Sequence, residues 1–239
     1  MKVVVSIGGS VLAPDLDADR VAAYADAIQS LDAQGHTLGT VVGGGPTARD
    51  YIGSARDLGA NEIELDQLGI AVTRLNSRLL IAALGDAAAP APIESYDEGR
   101  EAVKRGDIPV MGGTVAGQTT DAVSAALAEH VDADLLVYAT SVPGVFSADP
   151  NEHDDAERYD EIAASELVDL IAGIEMNAGS NAPVDLLAAK IIERAGLRSI
   201  VLDGTDPSAV ERAIRTGDHE GTDVVPNGVG AAPEDWDQP

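Results

Sequence analysis

The chain has 239 residues, 45% of them hydrophobic and 23% charged, enough apolar content to bury a core in one or two domains. Forty-one acidic residues against fifteen basic ones leave a net charge of −26, which opposes binding to nucleic acid or anionic lipid. The absence of cysteine excludes disulfides, thiolate metal sites and cysteine nucleophiles. The acids are spread through amphipathic segments, Asp outnumbers Glu, and lysine occurs only at 2, 104 and 190. At molar salt the Debye length falls to ~3 Å, so such a surface suits the cytoplasm of an extreme halophile. No apolar run approaches the ~18 residues of a membrane span, and the first strand begins at Val3 without a basic leader. A cytoplasmic location is expected.

Short apolar runs alternate with helical patterns along the chain. Residues 3–7, 38–42, 108–111, 135–139 and 199–202 are continuous apolar runs of strand length, as suits strands covered on both faces. Val21, Ala25, Ile28 and Leu31 recur at helical spacing after Asp17 and Asp19, either of which could cap. Residues 68–84 are long and apolar-striped, with Arg74 and Arg78 four apart. Residues 121–129 open after Thr119 and Thr120 with Asp121 in the first turn, where a carboxylate complements the helix dipole. Segments 183–194 and 207–215 each carry a proline suited to a first turn. Residues 151–160 read as an exposed acidic loop; residues 227–239 have little to bury except Trp236 and are expected to be disordered. The alternation predicts an α/β fold, a three-layer αβα sandwich with a mainly parallel central sheet, over residues 1–226.

Three glycine-rich turns follow three of these strands: Gly8-Gly9-Ser10, Gly43-Gly44-Gly45-Pro46 and Gly112-Gly113-Thr114. Loops after parallel strands gather at the carboxyl edge, and glycine lets backbone amides approach an anion closely. One such turn is ordinary turn chemistry; three after successive strands point to one phosphate-lined cleft. Neither GxxxxGK[ST] nor a GxGxxG after the first strand is present, so the charges must be placed otherwise. Arg49, four residues after Gly45, could meet a phosphate bidentately or stand as a surface arginine. Segment 114–120 offers hydroxyls and amides to a phosphate or a base edge, and Thr119 or Thr120 equally suits a helix cap. Asp121 could hold a lysine or Mg2+ beside a transferring phosphate, or simply favour the helix dipole. Residues 140–149 could close over a nucleotide, with Phe146 as an apolar face, or form an ordinary connection.

Taken together, VVVSIGGSVL, VVGGGPTARDYI, LDQLGIAVTRLNSRLLIAAL, IPVMGGTVAGQTTDAVSAALAE, DLLVYATSVPGVFSADP, VDLLAAKIIERAG and GDHEGTDVVP resemble the amino acid kinase family, most closely its archaeal uridylate kinase branch. The likeness runs almost collinearly over residues 1–226. It implies transfer of the ATP γ-phosphate to UMP, giving UDP and ADP with Mg2+, in a homohexamer. It further implies that Gly9, Ser10, Gly45 and Arg49 lie by the ATP phosphates, and that Thr140, Phe146 and Asp149 seat the adenine nucleotide. Gly44 would touch UMP, Asp66 would hold its ribose, and Thr114, Val115, Ala116, Gly117, Gln118, Thr119 and Thr120 would wrap its phosphate and base. Asp121 matches an acid that orients catalytic lysines in related members.

Many bacterial relatives carry a lysine where Ser6 stands, which leaves Lys190 as the candidate for stabilising the γ-phosphate, unless its helix turns it away. Ser141, Pro143 and Phe146 stand where relatives often have Asn, Asp and Tyr. Two alternatives follow from the same residues. One is another small-molecule kinase of the family, acting on an amino acid, a carbamate or isopentenyl phosphate; the last would want a histidine soon after the second glycine turn, and GGGPTARDYI has none. The other is a non-enzymatic nucleotide-binding storage or regulatory assembly, kept open by Ser6.

Overall fold

The computed structural model describes residues 1–148, 150, 153, 155–175, 184–227, 232, 233 and 236, without the side chains of 174 and 175. In chain order its elements are β1 (Lys2–Ile7), α1 (Gly9–Leu12), α2 (Ala18–Ala33), β2 (Thr37–Val42), α3 (Gly45–Asp57), α4 (Glu62–Leu84), α5 (Tyr96–Arg105), β3 (Val110–Met111), α6 (Thr120–His130), β4 (Leu135–Thr140), β5 (Glu161–Ala163), α7 (Ala164–Glu175), α8 (Leu186–Ala195), β6 (Ser199–Asp203), α9 (Pro207–Thr216) and β7 (Thr222–Val225).

The strands form one sheet in the order β3-β2-β1-β4-β6-β7-β5. β1 pairs in parallel with β2 and β4, and among the named strands of the described residues only β6–β7 is antiparallel. All five expected strands are present. β5 and β7 were not expected, because each is short and alternates buried with half-exposed residues at the far edge.

The pleat of β1 explains why its apolar residues do not alternate with polar ones from Val3 to Val5. Val3, Val5 and Ile7 face a core shared with Tyr24 and Ile28 of α2 and Ile214 of α9. Val4 faces a second core with Val123 and Leu127 of α6, Ile171 of α7 and Ile192 of α8. By the same alternation Ser6 points to the α6 side.

Caps settle the helix starts. Asp17, not Asp19, caps α2 by accepting the Asp19 N–H. α4 begins at Glu62, six residues before the apolar stripe, because Asn61 and Glu64 satisfy each other's N–H groups in a capping box. Thr119 caps α6, Asp206 caps α9 with Pro207 in its first turn, and Asp185 caps α8; Pro183 lies outside the described residues. α5 and α7 were not anticipated.

α4 corrects the expectation that no segment is long enough to span a membrane: by length and composition alone it is. Arg74 and Arg78 are the only charges after Asp66 in that helix. Its apolar residues do not all face the core, since Ile63, Leu75 and Leu79 are exposed, whereas Thr73, Asn76 and Ser77 are buried. In the tail, the Trp236 indole N–H donates to the Ile214 carbonyl at 2.9 Å, and the ring lies 5.2 Å from the Arg198 guanidinium carbon. Residues 228–231, 234, 235 and 237–239 of that tail lie outside the described residues.

Candidate active site

The first two glycine turns meet backbone to backbone. A Cβ on Gly9 would stand 2.3 Å from the Gly45 nitrogen and 2.5 Å from the Gly43 carbonyl oxygen. One on Gly45, whose φ is +63, would stand 2.4 Å from the Gly9 carbonyl carbon. Only glycine fits at either position. The Gly8 N–H donates to the Ala139 carbonyl at 2.9 Å, which ties the first turn to the end of β4.

Polar residues on the inner face of α4 hold the other two turns. Asn76 donates to the carbonyls of Gly43 at 2.9 Å and Gly44 at 3.2 Å. The Thr73 hydroxyl donates to the Ile70 carbonyl and accepts the Gly113 N–H, both at 2.7 Å. Ser77 Oγ lies 2.9 Å from both the Thr73 and the Met111 carbonyl oxygens. Arg74 donates to the Gly113 carbonyl at 3.2 Å and pairs with Glu94 at 2.9 Å. Buried polar groups persist where they are satisfied, and these are. The sequence reading missed Thr73, Asn76 and Ser77; the available signal was polar residues in phase with the buried Leu80 and Leu84.

A cavity of about 510 Å³ opens between α3, α4 and segment 114–120. Gly44, Gly45 and Arg49 line it, as do Asp66, Gly117, Gln118, Thr119, Thr120 and Val115. Asp66 accepts the Gly117 N–H at 2.7 Å, which folds the segment down onto α4. Gln118 Oε1 accepts from the hydroxyls of Thr114 at 2.8 Å and Tyr96 at 3.2 Å. Arg49 is exposed and makes no ion pair among the described residues. Thr114 and Ala116 lie instead on an adjoining depression with Arg74 and Arg78.

Asp121 opens α6 beside this cavity. Ser6 stands next to Tyr138 across the β1–β4 pair, and the Tyr138 phenol donates to the Asp121 carbonyl at 3.0 Å. Burial first, and then the neighbouring Asp185 carboxylate, push the Asp121 carboxyl up to about 7, against the lowering effect of a hydrogen bond from the Asp185 backbone. Asp185 went unnoticed in the sequence. It accepts the Ala188 N–H at 2.9 Å as the α8 cap and also accepts from the Thr119 hydroxyl.

Lys190 is not brought to this place. On α8, Ala188, Ala189, Ile191 and Ile192 turn inward, whereas Lys190 and Leu187 are exposed, and Lys190 lines neither the cavity nor the glycine turns. Among the described residues no cluster of three or more carboxylates or histidines could hold a metal by itself. Two neighbouring carboxyls without a basic partner among the described residues nevertheless fit a cation, and Mg2+ is ordinarily held by one or two carboxylates together with substrate phosphates.

A second cavity, about 790 Å³, lies past the carboxyl ends of β4 and β6, lined by Pro143, Phe146, Leu202, Asp203 and Thr205 among others. Phe146 supplies its apolar face. Thr140, at the end of β4, turns its hydroxyl onto its own loop, bonding to the Val142 carbonyl and N–H at 3.0 Å each. Gly9 and Ser10 open α1. Asp149 lies outside the described residues.

A mainly parallel seven-stranded sheet between two helical layers, with glycine cradles and two cavities at its carboxyl edge, places the chain among αβα sandwiches that take ligands at that edge. The amino acid kinase family matches residues 1–203, and the chain belongs to it. A uridylate kinase from Haloarcula marismortui is 80% identical over 226 residues, 95% of this chain and 99% of that relative. The crystal structure of uridylate kinase from Archaeoglobus fulgidus is 43% identical and superposes with a TM-score of 0.85, covering 94% of this chain and all of that one. Aspartate kinase from Synechocystis, 22% identical with a TM-score of 0.74 over 97% of this chain and 41% of its own, shares the fold.

Proposed function

We propose that this chain is an ATP-dependent UMP kinase, moving the γ-phosphate of ATP to UMP to give UDP and ADP. The observation that carries the reading is the 510 Å³ cavity, in which Asp66, Arg49 and residues 117–120 converge on Gly44 and Gly45. The likeness to uridylate kinases over nearly the whole chain supports it.

In this reading UMP lies in the smaller cavity, its ribose hydroxyls donating to the Asp66 oxygen not engaged by Gly117. Its phosphate meets Arg49 and the hydroxyls of Thr119 and Thr120. ATP lies across Gly9, Ser10 and Gly45, with its adenosine against Phe146 in the larger cavity. A UMP phosphate oxygen attacks the γ-phosphorus as the bond to the β-bridging oxygen breaks, and ADP leaves with that electron pair. The attacking oxygen is already anionic near neutral pH, so the protein need not remove a proton. Its work is alignment and neutralisation of spreading charge.

With Lys190 turned to solvent, that neutralisation rests on glycine-turn amides, Arg49 and Mg2+, which when bound offsets negative charge on the phosphates. Asp121 and Asp185 would hold it from the protein side. Family likeness and the exposed Ile63, Leu75 and Leu79 of α4, with Val115 sharing a depression with Leu75, support a homohexamer, and the acidic surface supports a cytoplasmic enzyme working in concentrated salt.

The test mixes purified protein with ATP, Mg2+ and UMP, CMP or isopentenyl phosphate in molar KCl and follows ADP release. UMP-dependent release is expected. Tight ATP binding without turnover would favour a storage or regulatory role.

A further inference from the structure

Among the described residues the UMP cavity has one carboxamide, that of Gln118, and its neighbours favour one orientation. Thr114 and Tyr96 both direct hydroxyl hydrogens at Oε1. The reversed amide could donate to the two hydroxyl oxygens but would leave both hydroxyl hydrogens without an acceptor among the described residues, so the observed orientation is the better satisfied one. With Oε1 occupied twice, the Nε2 amino group has no partner among the described residues, so the end of Gln118 left for a ligand donates and does not accept.

Ile52, Ile70 and Val115 give the same cavity apolar walls suited to a planar ring. A pyrimidine carrying a keto oxygen completes the Gln118 amide. One carrying an exocyclic amino group sets donor against donor and leaves both unsatisfied, the arrangement by which polar sites reject near-isosteric ligands. We propose that Gln118, locked by Tyr96 and Thr114, is the residue that selects a keto pyrimidine over an amino pyrimidine, and so uridylate over cytidylate. The inference rests on the kinase reading above and names the group that sets its acceptor specificity. Tyr96 has the role of a positioning residue, acting through the amide from α5.

The experiment measures kcat/KM for UMP and for CMP in molar KCl with the wild type, Gln118→Glu and Tyr96→Phe, and ATP affinity for each protein. Gln118→Glu keeps an oxygen for the two hydroxyls but presents an acceptor to the ring. The UMP-to-CMP ratio should then fall by ~10-fold or more, with the CMP value held or raised. Tyr96→Phe frees the amide to turn and should narrow the ratio by a few-fold, about 3, without weakening ATP. It decides the matter if the glutamate protein does not fold. A purely structural role would lower UMP and CMP together and leave the ratio where it was, which would overturn the proposal. A wild type that uses both nucleotides equally would overturn it too, while leaving the kinase reading intact. A wild type that phosphorylates neither would defeat the kinase reading and this inference with it.

Discussion

Replacing Asp121 with asparagine should stabilise the ligand-free protein, by an amount that grows as pH rises from about 4 and is complete above about 7. The Asp121 carboxyl is raised from an ordinary 3.8 to about 7, by burial and by the charge of Asp185. Below pH 4 the carboxyl is protonated in both the folded and unfolded chain and contributes no difference. Between about pH 4 and 7 the unfolded chain releases the proton while the folded one retains it, so stability falls as pH rises; above about 7 the loss is complete. At ~1.4 kcal/mol for each tenfold change in proton affinity, the full loss is about 4 kcal/mol. Molar salt screens Asp185 and the half-buried residue can relax around its charge, so ~1–2 kcal/mol is the measurable part. Asparagine cannot ionise and escapes the loss. Urea unfolding of both proteins in molar KCl, at several pH values from 4.5 to 8.5, checks this. The gap should open with rising pH and flatten near 8, while phosphoryl transfer by the variant drops, stability gained at the expense of the site. A gap of constant size across that range would refute the argument, because it would show that Asp121 does not hold its proton more tightly in the folded state.

Asp66→Asn retains an oxygen for the Gly117 N–H but loses the charge offered to ribose hydroxyls. It should raise KM for UMP by ~10–100-fold and leave KM for ATP within about threefold, and equal weakening of both would count against the assignment. Arg49→Ala should reduce kcat/KM by the ~2–4 kcal/mol typical of a lost charged donor; an unchanged rate would make Arg49 a surface residue only. Gly9→Ala forces a methyl into backbone at 2.3–2.5 Å and should lower unfolding free energy by about 3 kcal/mol or more, whereas Gly53→Ala, in open space within α3, should raise it by about 0.5 kcal/mol. Parallel denaturant titrations of these two variants separate steric exclusion from a general effect of adding a methyl group.

Much of the architecture was legible because it obeys local rules. A strand buried on both faces needs apolar residues on both sides of its pleat, and β1, β2, β4 and β6 have them, with small polar exceptions such as Ser6 and Thr40. A helix start needs a side-chain acceptor, and Asp17 and Thr119 are such acceptors. Glycine at 9 and 45 announced a close backbone approach, though not that each glycine was there for the other.

What local pattern could not disclose is contact between distant segments. Asn76 and Thr73 look like interruptions of an apolar stripe until α4 is laid across the glycine turns, where their hydrogen bonds find partners 32 to 40 residues away. Lys190 was attractive for its rarity, but helix phase set by burial of Ile191 and Ile192 turns it to solvent. Asp185 reads as a helix cap and nothing more until folding sets it against Asp121, 64 positions earlier in the chain. Periodicity, capping and glycine are written into neighbouring residues, so the sequence by itself determined the layers, most of the strands and the glycine turns. The charge environment of Asp121 and the orientation of Gln118 arise from groups far apart along the chain, and only tertiary packing, by removing water and bringing those groups together, decided them.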